Sequence, residues 1–229
     1  MKVLALTSSS TQASVALTDG DLSVQKIHST PRGHSEFMNA AIDELLNEAG
    51  WKLRDLNLIA VDQGPGSFTG IRVAVSVARS LCYLLKKPCF VSQSLLIMAT
   101  QAAKRPQPGT LLCGMNAYKN LIFFSAHTDQ QKLGALTVLT PNQIEKLAQT
   151  FAQPWSWAGN GLVVYHDFLT DEFRQQVKLF NPPIEHPEAQ DLAHMALQSS
   201  PSSWIQDWKL IAPLYLRDSA AEESLRNRS

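Results

Sequence analysis

Glycines, a proline and two hydroxyl side chains fall together in Gly64-Pro65-Gly66-Ser67-Phe68-Thr69-Gly70. Glycine lets the backbone take positive φ and approach a neighbour closely, Pro65 fixes one φ, and Ser67 or Thr69 can cap the free N–H groups of a helix start. Such free N–H groups hold anions, so a phosphate cradle is the first chemistry to test. A P-loop needs a lysine and then a hydroxyl after its last glycine, and Ile71 and Arg72 stand there instead. A dinucleotide fingerprint needs a glycine three residues after Gly66, where this chain has Thr69. A serine nucleophile elbow needs glycine two residues to either side of Ser67, and Pro65 and Thr69 occupy those places. None of the three chemistries fits. The better reading of Gly64, Pro65, Gly66, Ser67, Thr69 and Gly70 is a structural turn, with anion contact as a secondary use.

Other chemistry-bearing residues are sparse. The histidines are His28, His34, His127, His166, His186 and His194, and no two have the four-residue spacing of a helix-borne metal pair, so no metal ligands are assigned. His34 stands at a helix start, where it could meet a phosphate or a partner carboxylate. Asp62 ends an apolar run two residues before the glycine turn, as a functional acid or as a cap for that turn. Lys plus Arg and Asp plus Glu each number 20, so no global basic field holds a nucleic acid. The dense basic clusters, Lys86-Lys87 and Arg226-Asn227-Arg228, read as a solvated face and a tail. Cys82, Cys89 and Cys113 lie in apolar segments without C-x-x-C spacing, which fits buried thiols in a reducing cytoplasm. No signal-peptide core forms at the start of the chain, and no stretch reads as a membrane span.

The elements that must position these residues follow from hydrophobic period. Strands are expected at 1–7, 13–18, 23–29, 58–61 and 89–91, with Asp19-Gly20-Asp21 as a hairpin turn. Residues 35–49 carry apolar side chains at three- and four-residue steps and stop at Gly50, which predicts an amphipathic helix; 71–85 and 94–103 predict two more. Arg105-Pro106-Gln107-Pro108-Gly109 breaks the pattern and divides the chain into lobes at 1–106 and 107–229. The second half starts like the first, with strands at 110–114, 121–127 and 133–139 and a helix opened by Thr140-Pro141 and running to 151. A strand at 155–158, a turn at Gly159-Asn160-Gly161, partly helical chain over 163–176, a short strand at 177–180 and a helix at 189–198 complete it. The fold class is α/β, as two similar β-β-β-α-β-α lobes in series. The polar end of the chain reads as disordered.

The helix predicted after the glycine turn is unusual. Ile71, Val73, Ala74, Val75, Val77, Ala78, Leu81, Cys82, Leu84 and Leu85 spread over more than the ~100° stripe that one sheet contact uses. Only Arg72, Ser76 and Arg79 form a polar strip. Such a helix needs cover on two sides, and a partner subunit is the favoured second cover.

The run from Gly64 to Arg72 resembles the TsaB (YeaZ) family, as do Arg32-x-His34-Ser35, Ala158-Gly159-Asn160-Gly161 and Pro213-x-Tyr215-Leu216-Arg217-x-Ser219-Ala220-x-Glu222. The resemblance spans essentially the whole chain. It implies the actin-like ATPase fold, a duplicated ribonuclease-H-like layout. It also implies a non-catalytic subunit of the complex that attaches threonylcarbamoyl to adenosine beside the anticodon of tRNAs. Such a subunit binds a TsaD-like partner through its two N-terminal helices, is joined by a TsaE-like ATPase, forms a homodimer when alone, and meets tRNA only through the complex. The interface residues it implies are His34, Phe37, Met38, Ala41, Leu45, Ile71, Arg72, Ala74, Val75, Ala78, Arg79 and Cys82. Two positions depart from the family pattern: Thr7 stands where an aspartate usually ends the first strand, and Asn116 replaces a second common acid. Carboxylates near such positions organise magnesium and phosphate in kinases of this fold, so no required cofactor is expected and nucleotide binding is at most weak. The competing reading is an ATPase, kinase or metallopeptidase-like enzyme of the same fold.

Overall fold

The computed structural model describes residues 1–30, 33–128 and 131–217. Arg32 of the upstream motif, Ser219, Ala220, Glu222 and the Arg226-Asn227-Arg228 cluster of the tail lie outside the described residues.

The first lobe runs β1 (Val3–Thr7), β2 (Ala13–Thr18), β3 (Ser23–His28), α1 (His34–Ala49), β4 (Leu58–Asp62), α2 (Phe68–Leu85), β5 (Cys89–Ser92) and α3 (Ser94–Ala103). The second runs β6 (Thr110–Asn116), β7 (Ile122–Thr128), β8 (Gln131–Leu139), α4 (Pro141–Ala148), β9 (Trp155–Ala158), α5 (Gly161–Val164), α6 (Asp171–Gln176), β10 (Val177–Leu179) and α7 (Ala189–Gln198). The first five strands form one sheet in the order β3-β2-β1-β4-β5 and the last five form another in the order β10-β9-β6-β7-β8. β1 pairs antiparallel with β2 and parallel with β4, and β6 pairs antiparallel with β7 and parallel with β9. One topology is built twice, which is the duplicated actin-like layout.

Local signals set the element ends as expected. Gly50 closes α1 in the left-handed conformation, returning its N–H to the Asn47 and Leu46 carbonyls. Ser67 caps α2 by accepting from the Gly70 N–H, and Thr140 and Gln143 cap α4 reciprocally. α4 stops at Ala148, short of the expected 151.

Each central strand is buried on both faces, so alternate residues serve different cores. Leu4 and Leu6 of β1 pack with Met38, Leu45, Ile71, Ala74 and Ala78 of α1 and α2. Val3 and Ala5 pack on the opposite face against Ala189, Leu192, Ala193 and Ala196 of α7. That helix comes from the far end of the chain. Conversely Leu95, Met98 and Ala102 of α3, the last helix of the first half, pack with Cys113, Met115 and Phe123 of the second sheet. The two sheets thus use separate stretches of chain, β1 to β5 and β6 to β10, while each half lends its last helix to the other's sheet.

Beyond α7 the chain returns along the first lobe. Ile205 bridges Cys89 on the edge strand β5, Ile211 is fully buried, and the Leu214 N–H donates to the Gln63 carbonyl at 2.7 Å. This strap, residues 199–217, supplies cover for α2 that sequence pattern left to a partner. With 18 residues and a mean hydropathy of 1.4, α2 is also long and apolar enough to cross a membrane, contrary to the expectation that no stretch would be. Only 33% of that stretch is buried, and within it Ile71, Ala74, Val75, Ala78 and Cys82 close the first lobe's core. Ile211→Ala is expected to cost about 2–4 kcal/mol in urea unfolding, because the cavity opens between the strap and the α2 core. A loss under 0.5 kcal/mol would mean that the strap is not part of that core.

Candidate functional site: a closed cradle and an open helical face

Asp62, at the end of β4, is fully buried. Its Oδ1 accepts from the Gly64 N–H at 2.9 Å and the Ser94 hydroxyl at 2.7 Å, and its Oδ2 accepts from the Ser9 hydroxyl at 2.5 Å. One carboxylate thus ties three segments: the β1–β2 turn, the glycine turn and the start of α3. The Ser94 N–H adds a bond to the Gly64 carbonyl at 3.0 Å. Burial pushes the Asp62 pKa up to about 6 against the pull of those three donors.

The glycine turn lies directly on the β1–β2 turn. The Ser67 N–H donates to the Ser9 carbonyl at 2.6 Å, and the Ser8 hydroxyl donates to the Gly70 carbonyl at 2.7 Å. A Cβ on Gly66 would sit 2.0 Å from the Ser9 carbonyl oxygen, and one on Gly70 1.9 Å from that of Ser8. Both positions therefore require glycine. The N–H groups of Gly64, Ser67 and Gly70 are already taken by Asp62, Ser9 and Ser67, and Ser8 and Ser9 are at most 1% exposed. At Gly66 and Gly70 the two turns are in direct backbone contact. The second lobe repeats the contact: Gly159 and Gly161 pack on the Gly114 carbonyl, and Asn160 Oδ1 accepts from the Asn116 N–H at 2.9 Å.

Thr7 and Asn116 are both engaged in local structure. The Thr7 hydroxyl pairs with Ser14 Oγ at 2.7 Å and reaches the Pro187 carbonyl at 3.3 Å. Asn116 Oδ1 accepts from the Tyr118 N–H and the Tyr165 hydroxyl, each at 2.7 Å. Among the described residues no group of three or more His, Cys, Asp or Glu side chains is placed to hold a metal ion. A cleft of about 230 Å³ remains, lined by Ser67, Phe68, Thr69 and Tyr215 on one side and by Tyr118, Phe123 and Arg217 on the other.

The expected interface residues divide sharply. Met38, Ala41, Leu45, Ile71, Ala74, Val75, Ala78 and Cys82 are each at most 4% exposed and pack inside the first lobe. Their expected presentation to a partner is corrected: the sheet, the neighbouring helix and the strap already cover them. His34 is also buried, with Nε2 donating to the Thr30 carbonyl at 2.9 Å, and Phe37 is half-buried, stacked on His28. Arg72 is exposed and Arg79 half-buried. The open face instead holds a groove between α1 and α2, lined by Asn39, Ile42, Asp43, Ser76, Val77 and Ser80. The helical period alone could have separated the two faces, had the strap been legible as the second cover.

Two outcomes follow from the closed turn. Gly66→Ala or Gly70→Ala is expected to cost about 3 kcal/mol or more, since each Cβ meets backbone that cannot give way. A neutral effect on thermal unfolding would overturn the packing. Asp62 binds its proton more tightly folded than unfolded, so its contribution is full below its ordinary value of 3.8 and is lost as pH rises through about 6. Stability should fall by on the order of 2–3 kcal/mol over that window, and Asp62→Asn should flatten the fall. Parallel pH profiles for the two proteins would contradict this.

Comparison with known proteins places these features in a family. The model described as "TsaD: tRNA N6-adenosine threonylcarbamoyltransferase" matches residues 27–225. The chain is 25% identical to the tRNA threonylcarbamoyladenosine biosynthesis protein TsaB of Escherichia coli over 98% of each chain. It is also 25% identical to the protein of the same name from Bacillus subtilis, over 97% of this chain and 96% of that one. Among solved structures, YeaZ from Pseudomonas aeruginosa superposes with a TM-score of 0.76 at 25% identity, covering 94% of this chain and 99% of that one. A second structure, described as an uncharacterized protein from Pseudomonas aeruginosa with similarity to peptidase YEAZ, reaches 0.80 at 26% identity with the same coverage. The peptidase label is a name and not a finding about this chain. With its duplicated sheets, its glycine turn and full-length likeness to these proteins, the chain belongs to the family of that model, and within it to the TsaB (YeaZ) proteins of tRNA threonylcarbamoyladenosine biosynthesis.

Proposed function

We propose that this chain is a non-catalytic subunit of the complex that places threonylcarbamoyl on tRNA adenosine, and that it acts by docking to the TsaD-like transferase subunit. The observation that supports this reading is the closure of the glycine turn on Ser8 and Ser9, which engages the turn's Gly64, Ser67 and Gly70 N–H groups within the chain. Thr7 and Asn116, engaged in structural hydrogen bonds, support it further. The docking face is the exposed side of α1 and α2 around the groove of Asn39, Asp43, Ser76 and Ser80. A TsaE-like ATPase joins only the assembled pair, and the same face pairs two copies when the chain is alone. Free, buried Cys82, Cys89 and Cys113 fit a cytoplasmic setting.

Mixing this chain with the transferase subunit of its own organism and weighing the product tests the proposal. A stable complex is expected. Ser76→Arg and Ser80→Arg, on the open face of α2, should weaken it by about 2–4 kcal/mol, roughly 30- to 1000-fold in Kd, with thermal stability unchanged. Ala74→Arg or Ala78→Arg should instead unfold the chain, since both positions are fully buried. Absence of any complex, or full assembly by both serine variants, would contradict the docking face.

A further inference from the structure

Net charge is zero, yet charge is segregated on the helical side of the first lobe. α1 carries Glu36, Asp43, Glu44 and Glu48 and no lysine or arginine, whereas α2 carries Arg72 and Arg79 and no carboxylate. Lys86 and Lys87 follow α2 in the chain, and the strap sets Trp208 against Tyr83 and Arg79 of that helix. Asp207 is the strap's one carboxylate within the described residues, and its Oδ1 accepts from the Lys209 N–H. Among the described residues no ion pair engages Arg79, Lys86, Lys87 or Lys209.

Three of these cations, Arg79, Lys86 and Lys209, lie near aromatic rings. Tyr83 and Trp208 meet edge to face with centroids 5.2 Å apart. Arg79 lies 5.4 Å from the Trp208 ring, Lys209 5.9 Å from the same ring, and Lys86 4.3 Å from the Tyr83 ring. Tyr83 is 49% exposed. Arg72 is seven residues before Arg79, on the same helical stripe about 10 Å further along. It repeats the arrangement with Phe68 and Tyr215, whose rings stack at 4.8 Å.

We infer that the seam between α2 and the strap, centred on Arg79, Tyr83, Lys86, Lys87, Trp208 and Lys209, is an RNA-contacting surface that takes phosphate on its cations and an unstacked base on its rings. Cations without an ion-pair partner, set beside the exposed Tyr83 and the half-buried Trp208, match the two chemistries of a nucleic-acid strand, a phosphate charge and a flat base. In sequence Lys86-Lys87 is an isolated doublet; the strap, more than a hundred residues away in the chain, completes it. The inference rests on membership in a tRNA-modifying family, and it replaces purely indirect contact with tRNA by direct contact.

The test is fluorescence anisotropy of an unmodified tRNA transcript titrated with the full chain at several salt concentrations. The affinity should fall with a log–log slope of roughly −3 to −4, as for about four neutralised phosphates. Lys86→Glu/Lys87→Glu should flatten that slope by about 2 and lower affinity at least tenfold at 50 mM salt, and Trp208→Ala should lower it roughly fivefold or more. Lys146→Glu/Lys178→Glu makes the same charge change on exposed sites of the second lobe and should leave binding intact. The inference is overturned if the chain shows no salt-dependent binding, if both double variants bind alike, or if Lys86→Glu/Lys87→Glu loses only assembly with the transferase subunit. If the transferase complex fails to form while the seam variants still lose tRNA, the docking proposal fails and this one stands.

Discussion

The structure depends on one close approach, in which the backbone of Gly66 and Gly70 lies against the carbonyls of Ser9 and Ser8. Any side chain at either glycine would push the two turns apart. Asp62 holds the arrangement from below, because its two oxygens collect donors from the β1–β2 turn, the glycine turn and the start of α3. The fully buried carboxylate costs desolvation, and its three hydrogen bonds offset part of that cost. The launch point of α2 is thereby fixed relative to the central strand, and so is the surface that α2 presents.

The same packing engages the turn's own donors. A helix start with free N–H groups can hold an anion. Here the N–H groups of Gly64, Ser67 and Gly70 are bonded within the chain. The duplicated lobe shows the same economy, with Gly159 and Gly161 against Gly114 and with Asn116 tied to Asn160 and Tyr165. What remains open lies outside the closed turn: the groove between α1 and α2, and the cationic, aromatic seam along α2 and the strap.

Most of the fold was legible in the sequence. The period-two strands, the Gly50 stop, the Thr140-Pro141 helix start and the repeated order of elements all agree with the structure, since each depends on neighbours along the chain. The candidate site was half legible. Glycine spacing excluded the P-loop and the dinucleotide fingerprint, but that Ser8 and Ser9 would fill the turn depends on a contact across more than fifty residues. The apolar surplus of α2 was read as a need for a second cover, and the strap supplies part of that cover within the chain. Trp208, Ile211 and Tyr215 are scattered in a segment with no period, so nothing local marks them as the strap that supplies it. For the same reason Lys86-Lys87 showed no sign of the aromatic seam it belongs to.

The central claim is that the glycine turn serves packing and not phosphate binding, with its Gly64, Ser67 and Gly70 N–H groups engaged within the chain. Calorimetric titration of the isolated chain with ATP and magnesium, followed by an assay for released phosphate, tests it most directly. The closed turn predicts no binding heat in the micromolar range and no turnover. Micromolar binding with phosphate release, lost on Gly70→Ala in a variant that remains folded, would contradict it.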